Sequence, residues 1–223
     1  MRRSLSPDPH PAGASGDALL HRLLGRARDL GFLGAAPIAE QIAHSRALVG
    51  AVGANDRVLD LGSGGGLPGL VVAADQPSAT VVLLDAMSRR TVVLADAAEE
   101  LNAVGTHLTV ITARAEEAGR DPEMRGRFDL VLARSFGPPA VVAECAAPFL
   151  RRGGRLVVSE PPGGRPDRWP AAELRKFGLV AAAVDSQPVA RVVLVAEEPC
   201  PDRYPRRVGV PARRPLFHVE HDD

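Results

Sequence analysis

Ten consecutive residues constrain this chain more than any other stretch: Asp60-Leu61-Gly62-Ser63-Gly64-Gly65-Gly66-Leu67-Pro68-Gly69. They follow a short apolar run, Arg57 to Leu61, and pass into a helical pattern that opens at Leu67-Pro68-Gly69-Leu70. Strand, tight turn and helix in that order need glycine, because the backbone must reach φ > 0 and approach a ligand with no Cβ in the way. The helix offers free N–H groups in its first turn, and Pro68 is tolerated there because its missing donor would have had no partner. Gly64 to Gly69 also satisfies the dinucleotide pattern G-x-G-x-x-G, so glycine spacing alone leaves two cofactor classes open. Asp60 separates them. Its carboxylate, two residues before the first glycine, would repel a pyrophosphate but attract the ammonium group of S-adenosyl-L-methionine, directly or through water. The sign of that charge favours the sulfonium cofactor, held by this turn with Ser63, Gly64 and Gly66 around it.

The rest of the chain supplies a frame for such a turn. Short apolar runs alternate with helical stretches of roughly ten to fifteen residues, the pattern of βα units around a parallel sheet. Strands are predicted at Arg57 to Leu61, Thr80 to Asp85, Leu108 to Thr112, Phe128 to Ala133, Gly154 to Ser159, Leu179 to Val184 and Arg191 to Ala196. Helices are predicted near residues 66–75, 88–103, 138–150 and 170–177. The expected fold is α/β, a Rossmann-like class I methyltransferase with a seven-stranded, mostly parallel sheet and flanking helices. Ahead of it, Leu19, Leu20, Leu23, Leu24 and Leu30, then Ile38, Ile42, Leu48 and Val49, recur at helical spacing and predict a helical cap over residues 17–52. Residues 1–16, rich in Pro, Ser and Gly, are expected to be disordered, and the methyltransferase domain to span 17–198. Beyond it, five prolines between Pro199 and Pro215 predict that 199–223 is an extended Pro/Arg-rich tail.

Charge and composition narrow the partners. With 27 basic residues against 27 acidic ones, net charge announces neither nucleic acid nor membrane, and any such signal must be local. One local signal is the segment from Arg203 to Arg214, where Arg203, Arg206, Arg207, Arg213 and Arg214 form either a phosphate-binding stripe or a solvated tail that wraps the domain. Cys145 and Cys200 fit neither a disulfide framework nor a zinc spacing, and no metal is expected. No apolar stretch reaches the roughly 18 residues needed to span a bilayer. The expectation is a cytoplasmic monomer without membrane contacts.

Ligands of open α/β sheets bind beyond the C-terminal ends of the strands, so strand-end residues are the candidates. Asp85, 25 residues after Asp60, is expected to accept ribose hydroxyls; the other reading is a helix N-cap, for which Ser88 is better suited. Glu116, in the loop Ala113 to Glu117, is either an adenine-side ligand or a first-turn helix acid favoured by the macrodipole. Arg134 follows the apolar strand Phe128 to Ala133 and stands at the rim where a methyl acceptor would arrive.

Taken together, Gly66-Leu67-Pro68-Gly69, Leu83-Leu84-Asp85 with Arg89-Arg90, Arg114-Ala115-Glu116-Glu117 and Ala133-Arg134-Ser135 resemble the bacterial glucose-inhibited division protein B family, the 16S rRNA guanine-N7 methyltransferases. The likeness covers roughly residues 40–160, and the run from Tyr204 to Leu216 is similar to the basic tail of many members. It implies that Gly62 and Leu67 line a methionine pocket, that Ala115 and Glu116 hold the adenosine end, and that Arg134 completes the site as its catalytic residue. The implied partner is 16S rRNA or the small ribosomal subunit. The implied reaction suits a chain with no evident His, Cys or Lys beside the turn. Guanine N7 carries an exposed lone pair and no proton, so orientation rather than a general base would carry catalysis, with Arg134 a contact to O6, phosphate or cofactor. The chain departs from the family pattern in three places. It lacks the Asn-Leu-Thr segment that members carry before the turn; it shows only His44-Ser45, with Arg46 next, where members have a His followed shortly by Asp-Ser; and Glu160 stands near where members carry Lys-Gly, a charge expected to oppose a phosphate-rich acceptor. The alternatives are a methyltransferase acting on a small molecule, a non-catalytic RNA-binding protein on the same scaffold, and a nicotinamide dehydrogenase.

Overall fold

The computed structural model describes residues 12–163 and 165–218. Seven strands form one sheet: β1 (Arg57–Leu61), β2 (Thr80–Asp85), β3 (His107–Thr112), β4 (Phe128–Ala133), β5 (Leu150–Ser159), β6 (Leu179–Asp185) and β7 (Arg191–Ala196). Their order is β3-β2-β1-β4-β5-β7-β6. The five strands from β3 to β5 pair in parallel, and β7 runs antiparallel between β5 and β6. The α/β class and all seven strands agree with the sequence reading. The largest boundary difference is β5, which begins at Leu150 because Gly153-Gly154 bulges within the strand. Leu150 already pairs with Phe128, the register shifts before Leu130, and a Cβ on Gly154 would lie 2.8 Å from the Phe128 carbonyl oxygen.

Strand residues alternate between two helical layers. Val58, Val81, Leu83, Leu130 and Leu132 face a core shared with α1 (Ala12–Asp29), α2 (Ile38–Val49), α3 (Gly69–Asp75) and α4 (Ser88–Asn102). Leu59, Leu61, Val131 and Ala133 face the other core, with α5 (Ala115–Ala118), α6 (Pro139–Ala146) and α7 (Ala171–Leu174). Both faces are covered, which is why these strands read as continuous apolar runs rather than as alternation. The cap predicted at 17–52 is α1 and α2, with α1 starting at Ala12, inside the segment expected to be disordered; residues 1–11 lie outside the described residues. The helix expected over 138–150 gives way after Ala146 to a 3-10 turn around Pro148. That over 170–177 shortens in the same way and ends at Gly178, which has φ 79°.

Residues 199–218 do not run extended away from the domain. Cys200, Tyr204, Pro211 and Phe217 are buried, and Val210–Arg213 forms a helical turn, α8. Pro211 sits in the first turn of α8, where its missing N–H costs nothing. The prolines exclude long regular elements here but do not prevent docking; residues 219–223 lie outside the described residues.

Phe128 and Phe149 are fully buried and meet edge to face at 6.0 Å beneath the β4–β5 pair. Phe128→Ala is therefore expected to lower the unfolding free energy by about 3–5 kcal/mol. Urea titration checks this, and a loss below about 1 kcal/mol would mean that the two rings are not part of the cooperative core.

Candidate cofactor and acceptor site

Alternation along β1 decides what Asp60 does. It shares the face of Val58, so its side chain lies beneath the glycine turn, 1% exposed. One carboxylate oxygen accepts the N–H of Gly69 at 3.0 Å, and the Asp60 carbonyl accepts the Ser63 hydroxyl at 3.0 Å. A Cβ on Gly69 would meet that carboxylate at 2.6 Å and Leu83 at 2.3 Å, so the contact requires glycine. Desolvation raises the Asp60 pKa to about 7, with neighbouring Asp85 pushing the same way and the Gly69 N–H opposing. Asp60 lines neither of the two cavities beside the turn. The side chain expected to touch the cofactor instead anchors the turn from below.

Those two cavities flank Gly62 at the C-terminal ends of β1, β2 and β4, where the strand order reverses. The first, about 200 Å3, is lined among others by Asp85, Arg114, Ala115, Glu116 and Phe136. The second, about 240 Å3, is lined by Ser63, Gly64, Leu67, Arg90 and Arg134, with Phe32 and Leu33 reaching over from the cap. Gly62 belongs to both. A Cβ there would lie 2.6 Å from the Phe136 ring, and its φ of 74° suits glycine. Gly66 lines neither cavity. Its requirement is steric, since a Cβ would meet Leu70 at 2.4 Å.

Asp85 ties the turn to β2. One of its oxygens accepts the Gly64 N–H at 2.9 Å and lies 3.4 Å from Arg90; the other accepts the Met87 N–H at 2.8 Å. Ser88 does not cap α4: Met87 occupies the cap position with no side-chain bond, so Asp85 serves the helix start and the cavity together. Glu116 is 8% exposed, sits in the first turn of α5 as the helix-acid reading expects, and also lines the first cavity. It also accepts the N–H of Gly209 at 2.8 Å, a contact across 93 residues for which no local pattern gave warning. Ala212 lines the same cavity, so the C-terminal segment forms part of its wall.

Arg134 shares the face of Leu130 and Leu132 and points towards α2, where its guanidinium reaches the Ser45 hydroxyl at 3.5 Å. Burial lowers its pKa and buried Asp60 raises it. A half-buried guanidinium with so long a hydrogen bond is suited to an anionic or carbonyl ligand. Phe32, Leu33 and Phe136 escaped sequence reasoning, and Arg90 entered it only as part of the family likeness, not as a site residue. Phe136 had a signal, an aromatic two residues past a strand-end arginine in a chain with 4% aromatics. Phe32 and Leu33 had none, because the cap reaches the turn only in three dimensions.

The departures at His44 and Glu160 come together on a further cavity of about 320 Å3 with residues 186–190. Burial, then Arg134, lowers the His44 pKa and favours the neutral ring. The Glu160 carboxylate is buried and bonded to Arg168 at 2.5 Å. The expectation of an unopposed negative charge at the rim is thus corrected: the irregular loop after β5 folds back and brings its own cation. Of the tail arginines, Arg206 is engaged by Glu144, Arg203 stacks on Tyr204 at 5.0 Å, and Arg203, Arg207, Arg213 and Arg214 are exposed.

A family model described as rRNA small subunit methyltransferase G matches residues 38–160, from the start of α2 to Glu160. The chain belongs to that family. A ribosomal RNA small subunit methyltransferase G from Synechococcus sp. (strain WH7803) is 38% identical over 175 residues, covering 75% of this chain and 68% of the relative. Another, from Prochlorococcus marinus (strain MIT 9313), is 38% identical over 168 residues, 72% of this chain and 68% of the relative. Among solved structures, Aeropyrum pernix fibrillarin in complex with S-adenosyl-L-methionine superposes with a TM-score of 0.51 at 18% identity, covering 63% of this chain and 66% of fibrillarin, a likeness of fold. The region matched to the rRNA small subunit methyltransferase G family contains the turn, Asp85, Glu116 and Arg134 and stops before the C-terminal segment.

Asp60 gives a pH signature. Its folded pKa of about 7 lies above the ordinary value of 3.8, so between those limits the native state keeps a proton that the unfolded chain has lost. The stability this supplies is complete below pH 3.8 and disappears as pH rises through about 7. Wild-type unfolding free energy should therefore fall between about pH 4 and pH 7 and level off above that, relative to Asp60→Asn, which keeps an acceptor for Gly69. Parallel profiles in urea would show that Asp60 ionises like an exposed acid.

Proposed function

We propose that this chain methylates N7 of a guanine in 16S rRNA, using S-adenosyl-L-methionine as methyl donor. As a member of the rRNA small subunit methyltransferase G family it is an rRNA methyltransferase; the base, the atom and the residue roles are our reading. One observation carries it: Gly62 separates a cavity lined by two carboxylates, Asp85 and Glu116, and one guanidinium, Arg114, from a cavity lined by two guanidinium groups, Arg90 and Arg134, and by no carboxylate among the described residues. The donor has matching polarity, with ribose hydroxyls that donate to carboxylates and a methionine carboxylate that accepts from arginine. Between the ends, Gly64 at φ 56° presents no side chain, and a Cβ there would meet only the Gly62 carbonyl oxygen, at 3.8 Å.

When bound, the donor supplies an electrophilic methyl: the N7 lone pair forms the new C–N bond as the C–S bond breaks and its electron pair stays on sulfur. No proton leaves N7, so the step needs no general base. The task of the protein is orientation. Asp85, bound to Gly64, holds the turn to β2; Phe32 and Leu33 cover the second cavity and limit water there; Arg134 presents a donor at the rim. The small-molecule alternative drew on the loss of the Lys-Gly pair, with Glu160 in its place, and Arg168 offsets that carboxylate. Outward-facing Arg203, Arg207, Arg213 and Arg214 favour a polyanionic acceptor.

Small ribosomal subunits from cells lacking this protein, incubated with it and labelled donor, should gain 7-methylguanosine in 16S rRNA by mass spectrometry. Label appearing only in small metabolites would sink this reading. Asp85→Ala should weaken donor affinity about 10-fold or more. Replacing Arg207, Arg213 and Arg214 with serine should weaken rRNA binding and flatten its salt dependence by about two units of slope; an unchanged slope would assign the acceptor surface elsewhere.

A further inference from the structure

Glu144 lies in the last turn of α6 with its side chain 1% exposed. A carboxylate that deep is costly unless its lone pairs are satisfied. One residue meets that need: Arg206 donates its backbone N–H at 2.8 Å, Nε at 2.8 Å and Nη2 at 2.6 Å. The same Nη2 donates to the Arg214 carbonyl at 2.8 Å, so one guanidinium pins both ends of the loop 206–214. Inside the loop, the Gly209 N–H reaches Glu116 at 2.8 Å and Ala212 lines the Asp85–Glu116 cavity. On its outer side Arg207, Arg213 and Arg214 are exposed. A single short loop thus has one face on the first cavity and a cationic face to solvent. Two arginines fix its approach: Arg125 donates to the carbonyls of Cys200, Pro201 and Tyr204, and Arg120 to that of Pro205.

We propose that loop 206–214 couples the two substrates, with Glu144 and Arg206 as positioning residues. They hold Gly209 against Glu116 and Ala212 in the wall of the donor site, while the outward arginines take phosphates of the acceptor RNA. RNA bound on the outer face restrains the loop in the position that completes the wall, so RNA tightens donor-site binding and, by linkage, a ligand in the donor site tightens RNA binding. This rests on reading the Asp85–Glu116 cavity as the adenosine end of the donor site.

The test is the affinity of the full-length protein for S-adenosylhomocysteine, measured by calorimetry with and without deproteinised 16S rRNA. The wild type should bind it roughly fivefold or more tightly in the presence of RNA. Substituting serine for Arg207, Arg213 and Arg214 together should abolish that gain. Arg206→Gln should weaken binding even without RNA, and Arg206→Lys, which keeps the charge but not the fork, should restore part of it. Should Arg206→Gln prove unfolded in its thermal melt, the wild type and the triple variant still decide the matter. Equal affinity with and without RNA, in a protein that binds both, overturns the coupling and leaves the proposed function standing. No affinity for S-adenosylhomocysteine at all would overturn both.

Discussion

The carboxylate of Asp60 is held away from water between the end of β1 and the start of α3, where the Gly69 N–H is its hydrogen-bond partner. Everything at the site is placed relative to that contact. Gly62 and Ser63 donate their N–H groups to the Leu84 carbonyl, and Gly64 donates to Asp85, so the turn is clamped by β1, β2 and α3. A backbone fixed from three sides pays the entropy of ordering before a ligand arrives, which is how a glycine-rich segment becomes a preorganised site. The same clamp sets the positions of the two cavities, because Gly62, which they share, is one of the residues it holds.

Electrostatic polarity across the turn follows from sheet geometry. Strand-end side chains from β1, β2 and β4 converge where the order of the sheet reverses, and alternation decides which of them enter a cavity. Asp85 and Arg134 do, whereas Asp60 stays beneath the turn, its pKa raised by burial. A chain with no net charge therefore carries an uneven local field, with two carboxylates and Arg114 on one side of Gly62 and two guanidinium groups on the other. The rim is balanced as well, since Glu160 is matched by Arg168.

Arginine does different work in different places. Arg125 and Arg206 are spent inside the molecule, each satisfying several acceptors with one planar fork, which lysine could not do. Arg207, Arg213 and Arg214 remain at the surface. Composition could not distinguish these roles, because the same residue type appears in both within a few positions of the chain.

The α/β class, the seven strands, the glycine turn and the family likeness were legible from sequence because each rests on local constraints: apolar runs, the φ > 0 demands of glycine, and acids at strand ends. The carboxylate of Asp85 at a cavity was legible for the same reason. Less accessible were facts set by packing between distant segments. That Asp60 lies under the turn depends on which face α3 covers. That Glu160 is neutral in effect depends on where the loop after β5 returns. That Ala212 lines the first cavity and Gly209 binds Glu116 depends on Glu144 and Arg206, 62 residues apart, finding each other. Local sequence sets what a backbone can do at each position, whereas the pairing of buried charges is decided only when the whole chain excludes water from them.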